Sequence, residues 1–548
     1  MPSAKRWALA VVLVGALVPL GAWGDDAQHE HHAASAETLG KVHFPVSCNP
    51  TAQKEFDQAV AMLHSFWYEM AEKAFTAVTQ ADSNCAMAYW GIAMSLYHPL
   101  WEPPNPATLQ RGLAAVEKGT AIGAKTRRER DYIAAIAAYY SGFDKLEHHT
   151  RAVAYEKAME QLHLRYADDL EAGVFYALAL LSTAPPTDKA YANQKKAAVI
   201  LDKVFAVEPD HPGVAHYFIH AYDSPALAHL ALPAARRYAK IAPAVPHALH
   251  MPSHIFTRLG LWQDSIQSNL AAAAAARKYG AETHMAGAWD QQLHPMDYLI
   301  YAYLQGAQDV EAKRVLDELS TIQKGDPANL TSGYAFAAIP ARYAFERRQW
   351  SEAAALELRP ASFPWSRYPW AEATTYFARA VGAARSGHPA DAQKSLEKIE
   401  ALYKVLVEAK EAYWADEVEI LRLESAAWVA HAKGNNDEAA RSLRAAANLE
   451  DSTEKHPVTP GSILPAREQL ADLLLALRQP AAALREYEAS LRNAPNRFNS
   501  LYGAARSAEL SGDRTKAREY YAQLVDVSKL ADGDRPELRE ARTLLAKQ

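Results

Sequence analysis

From Ala52 to the C-terminus, apolar residues recur at three- and four-residue spacing in short blocks, and Gly, Pro or polar clusters separate one block from the next. The blocks come in pairs. Ala71, Phe75 and Val78 lie on one helical face and AMAYWG (86–91) opens the next block. Prolines 99, 103, 104 and 106 form a break, after which RGLAAVEKGTAIGA and TRRERDYIAAIAAYYSGF read as a helix pair. A further helical stretch ends at Pro185-Pro186, and Ala197, Leu201 and Val204 then precede Pro209. Downstream, Gly387, Gly434 and Gly512 each mark a turn before a new amphipathic helix, whereas SFPWSRYPW (362–370) interrupts the pattern. No run alternates as a strand would, so the pattern predicts an all-α chain.

Within it, PGVAHYFIHAYD from Pro212 and PHALHMPSHIF from Pro246 repeat one histidine spacing after 34 residues: His216 maps onto His250 and His220 onto His254. Each pair is spaced i, i+4, which puts two rings on one helical face. Pro252, between His250 and His254, is expected to kink that helix or shift its start, which bears on whether the second pair shares a face. A 34-residue period, small residues at helix crossings, an aromatic four positions later and Pro at the unit's end resemble the tetratricopeptide repeat. The resemblance covers roughly residues 41–530, and its clearest units are 52–98, 212–279 and 464–530, the last carrying Ala483, Tyr487, Ser490, Pro495, Ala517 and Tyr521. It implies a superhelical solenoid of antiparallel helix pairs over 41–545. HSFWY, AYWG and PHALHMPSHIFTRLGLW also look like a group of exported bacterial repeat proteins without an established activity, which implies architecture only.

In that family the first helix of each unit lines a concave groove, with its second, fifth, ninth and twelfth residues toward a ligand. The resemblance therefore implies a groove wall of His247 and His294 (second), His216, His250 and Asp297 (fifth), His220, His254 and Tyr301 (ninth) and Asp223 (twelfth). Imidazole and carboxylate suit zinc, copper, iron or nickel, so His216, His220, His250, His254 and Asp297 are candidate ligands. Against this stands a metal-free, histidine-lined pocket for a peptide or acidic ligand. A further alternative is a structural role, since His98, His211, His294, His388 and His456 all precede Pro and can cap or pack helix ends. His64, Trp67, Trp90, His98 and Trp101 read as core packing.

Targeting and charge narrow the setting. Lys5 and Arg6 precede an apolar run from Trp7 to Leu20 and a small-x-small site at 22–24, the form of a secretory signal peptide over 1–24, with an uncleaved anchor as the alternative. No later run is long enough to span a membrane. Residues 25–40 are polar, with His29, His31 and His32, and read as a disordered lead-in. The expected location is the periplasm or the cell surface. There Cys48 and Cys85, the only cysteines, either pair or remain thiols. A net charge of -6, or -8 without Lys5 and Arg6, and the lack of a basic cluster argue against nucleic acid. Glycine-rich phosphate loops, CxxC, CxxCH, G-x-S-x-G and H-E-x-x-H are all absent. Nothing thus compels an enzyme. The leading expectation is an exported scaffold that binds a protein or peptide partner in its groove, with a metalloprotein or metal-dependent enzyme second and a pH-responsive binder third.

Overall fold

The computed structural model describes residues 36–100 and 102–547; the expected signal peptide, the lead-in up to residue 35 and Trp101 lie outside the described residues. The architecture is all-α, a tetratricopeptide-type superhelix in which each helix packs against the next. Pairs run from Pro50–His64 with Tyr68–Ala81 through Pro212–Tyr222 with Ala228–Ile241 to Phe498–Leu510 with Arg514–Val527, and Pro536–Ala546 covers the last pair. Among the described residues the strands are Ala288–Trp289 and Gly325–Asp326, a parallel two-residue ladder beside the insertion after residue 282. No helix among them is long and apolar enough to cross a membrane.

Local chemistry starts and stops these helices. Asn49 and Asn105 accept the backbone N–H of Ala52 and Thr108, and Thr126 with Glu129 closes a capping box. Helices cross where side chains vanish. A Cβ on Gly91 would lie 2.3 Å from the Phe75 ring, and one on Gly503 would lie 2.2 Å from the Tyr487 ring. Cys48 and Cys85 are joined as a disulfide that staples the segment before Pro50–His64 to the start of Ala86–Ser95.

Two expectations need correction. Residues 36–40 are not part of a disordered lead-in: Ala36–Leu39 form a helical turn whose Leu39 is fully buried, and Gly40 packs on Pro212. Burial of Leu39 offsets the entropy that keeps polar lead-ins loose. The second departure concerns the groove. The superhelix winds tightly enough for its last units to meet its middle ones: Gly260, at φ +65°, sits against Pro495 and Asn496, Trp262 donates to Asn496 O at 2.9 Å, and Arg535 pairs with Asp309. The loop 453–465 enters the space between them, where Arg342 donates to Ser462 O and Gly461 O, and Lys455 reaches Asp223.

Candidate metal centre

Pro212 at the first helical turn, with His211 accepting the Val214 N–H at 3.3 Å, starts the helix carrying His216 and His220. The equivalent helix one unit on is broken at Pro252 into Pro246–His250 and Pro252–Arg258, because proline cannot donate its i→i−4 bond. The break does not separate the rings. His250 Nε2 and His254 Nε2 stand 3.0 Å apart, and His216 Nε2 and His220 Nε2 stand 3.1 Å apart.

Two groups of three emerge, His216/His220/His247 and His250/His254/His294, each with its potential ligand atoms within 4.8 Å of one another. The groups follow one rule: the fifth and ninth residues of one unit's first helix meet the second residue of the next unit's. The rings form a continuous box, with centroids 5.0 Å apart for His216–His247, 6.1 Å for both His247–His250 and His220–His254, and 4.2 Å for His250–His294. Phe66 covers one side, in contact with His216, His220 and His247.

This box is not an open groove wall. His216 is 0% exposed, His250 1% and His254 2%, while His220 is half-buried. The wall expected to face a partner is closed over by Phe66 on one side and by the returning loop on another, where Tyr298 donates to Thr459 O at 3.0 Å and lies 3.2 Å from His254 Nδ1.

Hydrogen bonds assign the tautomers. His216 Nδ1–H donates to the carbonyl of His64 at 2.7 Å. His250 Nδ1–H donates to Asn269 Oδ1 at 2.6 Å, and Asn269 is oriented for this because its amide nitrogen donates to Ser265 O. His254 Nδ1–H donates to Asp223 Oδ2 at 2.9 Å. Burial opposes charge on Asp223, but Lys455 at 2.8 Å and Arg258 at 2.9 Å hold its carboxyl well below the usual range, so it stays an acceptor. With their protons committed at Nδ1, His250 and His254 turn two bare Nε2 lone pairs toward each other. A proton between them would relieve the repulsion, but burial holds all six imidazoles below their usual pKa, His247 down to about 3. A metal ion would relieve it without that cost, since nitrogens about 2.0–2.1 Å from a tetrahedral ion are about 3.3 Å apart. Carboxylate, amide and carbonyl groups on the outer nitrogens are the supports that metal-bound histidines use.

Asp297, aligned with His216 and His250, is not part of this constellation. Arg342, on the next first helix, takes Asp297 Oδ1 at 2.9 Å, and both side chains are buried; Oδ2 makes no hydrogen bond and does not join either group of imidazoles. Tyr301 is likewise elsewhere, accepting from Arg497 Nη1 at 3.0 Å with its ring against Arg342 and Trp262. Beyond the insertion the helix Asp290–Gln305 brings His294, rather than Asp297, to the second triad.

His64 is buried as expected, stacked on Phe175, but it also joins Glu171 and His211, a grouping that no local pattern announces. His64 Nε2 and His211 Nε2 donate to the two Glu171 oxygens at 2.8 and 3.0 Å, while His64 Nδ1 accepts from Tyr217 and His211 Nδ1 from Val214. Every nitrogen of this third group is thus spent on a hydrogen bond, and the group fixes His64, whose carbonyl orients His216. Of the other aromatic candidates, Trp90 is core against Phe44, Phe56 and Phe75, Trp67 meets Tyr279, and His98 stacks on Tyr68. The tail histidines 29, 31 and 32 lie outside the described residues.

No protein-family profile matches this sequence, and no curated protein does. Solved structures with a similar fold include yeast Tom70, 13% identical over 90% of this chain and 95% of that one, with a TM-score of 0.32. They also include the human IFIT1 dimer with m7Gppp-AAAA (13%, 82% and 90%, 0.34) and the Cut9–Hcn1 complex (12%, 91% and 97%, 0.27). These are helical-repeat proteins, and the likeness is one of repeat architecture alone.

Proposed function

We propose that this chain is a metalloprotein whose superhelix holds a transition metal of the zinc, copper, nickel or iron class in a buried all-imidazole centre. The observation that carries the reading is the 3.0 Å approach of His250 Nε2 to His254 Nε2, with both outer nitrogens already donating to Asn269 and Asp223. His294 supplies the third ligand of that site, and His216, His220 and His247 form a second, repeat-related one. Three neutral nitrogens favour these borderline ions over magnesium or calcium, which prefer oxygen. Three ligands also leave a tetrahedral position for water or substrate, which is the ligand count of catalytic zinc. A partner protein or peptide, for which such a scaffold is suited, would engage a face other than the enclosed histidine box. Export to an oxidising compartment belongs to the same proposal, supported by the signal-like first 24 residues and the Cys48–Cys85 disulfide.

Elemental analysis of untagged protein, stripped with chelator and reloaded, is the test. The expected result is about two equivalents of one transition metal per chain, falling by about one in the double variant His250→Ala, His254→Ala. Less than about a tenth of an equivalent after reloading, from a folded sample, would overturn the proposal.

A further inference from the structure

A cavity of about 450 Å³ opens beside the returning loop, apart from the histidine box. One wall is aromatic: Trp370 and Trp414 stack with centroids 4.1 Å apart at 15°, and the Tyr334 ring lies 5.8 Å from Trp370. Three carboxyls also line it: Glu417 and Glu424, two turns apart on the helix Ala412–Ala432 that carries Trp414, and Glu450 from the helix Asn436–Ser452.

The balance of charge around the cavity is uneven. Lys189, Arg258, Lys455 and Arg467 all line it, but each is already paired, with Glu454, Asp223, Asp223 and Asp451 respectively; Arg492 is exposed. Among the described residues, Glu417, Glu424 and Glu450 have no basic partner within ion-pair distance. Glu450 accepts the Ala466 N–H at 3.0 Å. Glu424 is 1% exposed and neither of its oxygens makes a hydrogen bond of ordinary length; the Gln469 amide beside it, which donates to Leu464 O and accepts from Trp428, is the one neutral donor that eases its burial. A buried carboxyl without a basic partner costs stability. Its position at the wall of a cavity also lined by stacked indoles is what a ligand donating hydrogen bonds and positive charge would use. Burial, and after it the nearby Glu450, pushes Glu417 up to about 7 and Glu424 well above the carboxylate range, and burial pushes Glu450 up to about 7 against the pull of Ser462 and the Ala466 N–H, so a cation bound here displaces protons.

We propose that this cavity binds an organic cation, a guanidinium or primary ammonium on an apolar stem, with its charge against Glu424 and its stem on the Trp370–Trp414 wall. The proposal does not rest on the metal centre, so the two fail separately. The same chemistry comes from a free amine or from the basic side chain of a peptide, and the probes are chosen to separate them.

Full-length protein is titrated calorimetrically with agmatine, with the blocked tripeptide acetyl-Gly-Arg-Gly-amide, with hexanol and with magnesium chloride, in two buffers of different ionisation enthalpy. The expected result is saturable binding of agmatine or the tripeptide with proton release, at least tenfold weaker in Glu424→Gln. Agmatine alone would identify a free amine as the source, and tighter tripeptide binding a basic side chain. Glu424→Gln removes a buried acid that has no basic partner and is expected to melt at or above the parent's temperature; should it not fold, half-buried Glu417→Gln carries the same test. Absence of binding by both organic cations, equal binding by hexanol or by magnesium, or affinity unchanged in the Gln variants would each overturn the proposal.

Discussion

Lowering the pH from 7.5 to 6.0 strips metal from an ordinary three-histidine site, because protons compete for the ligand nitrogens. With each imidazole near its usual 6.5, the neutral fraction falls from about 0.9 to about 0.24, a loss of about 50-fold for three ligands, or about 2.3 kcal/mol. The second triad is built to escape this. Burial, and after it the neighbouring imidazoles, hold His250 and His294 well below the usual value. Burial also lowers His254, against the upward pull of Asp223. His250 and His294 are therefore already neutral at pH 6, and acid has little to take from the metal-free site. The expected change in affinity for zinc is less than about threefold, read by competition with a chromophoric chelator whose own proton equilibria are corrected. A 50-fold loss would mean ordinary, hydrated imidazoles and would refute the burial argument. Thermal stability is the wrong readout for this question. Histidines lowered on folding lose stability as pH falls below 6.5, since the unfolded chain then binds protons that the folded chain refuses. Asp290, Glu417 and Glu450, each raised to about 7, work in the opposite direction: between pH 7 and the usual carboxyl range the folded chain holds protons that the unfolded chain releases, so acid stabilises it. The two effects overlap in melting curves, whereas metal affinity isolates the histidines.

Asp223→Asn weakens the salt links to Lys455 and Arg258 and the hold on His254 Nδ1, so zinc affinity at the second site is expected to fall by about 10- to 100-fold in the same competition assay. Unchanged affinity would remove Asp223 from the centre's support. Arg497→Met leaves Glu346 and Glu468, both fully buried, without the guanidinium they share, and should cost about 3–5 kcal/mol in urea denaturation. A loss below about 1 kcal/mol would show that water or rearrangement replaces the pair. Reducing Cys48–Cys85, whose partners are 37 residues apart, should cost about 4 kcal/mol by chain entropy, seen as a lower melting temperature in dithiothreitol. An unchanged melt would place that N-terminal segment outside the cooperative unit.

The helix pairs were legible because each carries its own amphipathic period and its own turn, and the 34-residue shift alone fixed the pairs His216/His220 and His250/His254. Their grouping into triads was not, since the superhelical offset decides which residue of the next unit comes opposite the fifth and ninth, and that offset is a property of stacking. Register misled at Asp297 for a related reason: alignment says which position a residue fills, but Arg342, 45 residues later, decides what its carboxylate does. Glu171 and His211 meet His64 across separations of 107 residues and more, which no local pattern records. One signal was present and went unread. Ser265 and Asn269 put polar side chains at a crossing where the repeat prefers small apolar ones, and Asn269 is the group that orients His250.

That last substitution also breaks the symmetry of the repeat. Stacking equivalent units presents the same imidazoles twice, but what stands behind them belongs to each unit. His216 leans on a neutral backbone carbonyl, whereas His250 and His254 lean on an amide oxygen and an ionised carboxylate, and a charged acceptor makes an imidazole a stronger donor to metal. His216 and His220 can also satisfy one another, since no carboxylate commits His220 Nδ1 among the described contacts and its Nε2–H is free to donate to His216 Nε2 at 3.1 Å. In the second triad both protons are already spent on the outer nitrogens. Two sites alike in ligands are thus unequal in need, and stepwise metal addition should fill the His250/His254/His294 triad first, leaving the His216/His220/His247 triad as the weaker and more readily exchanged of the two.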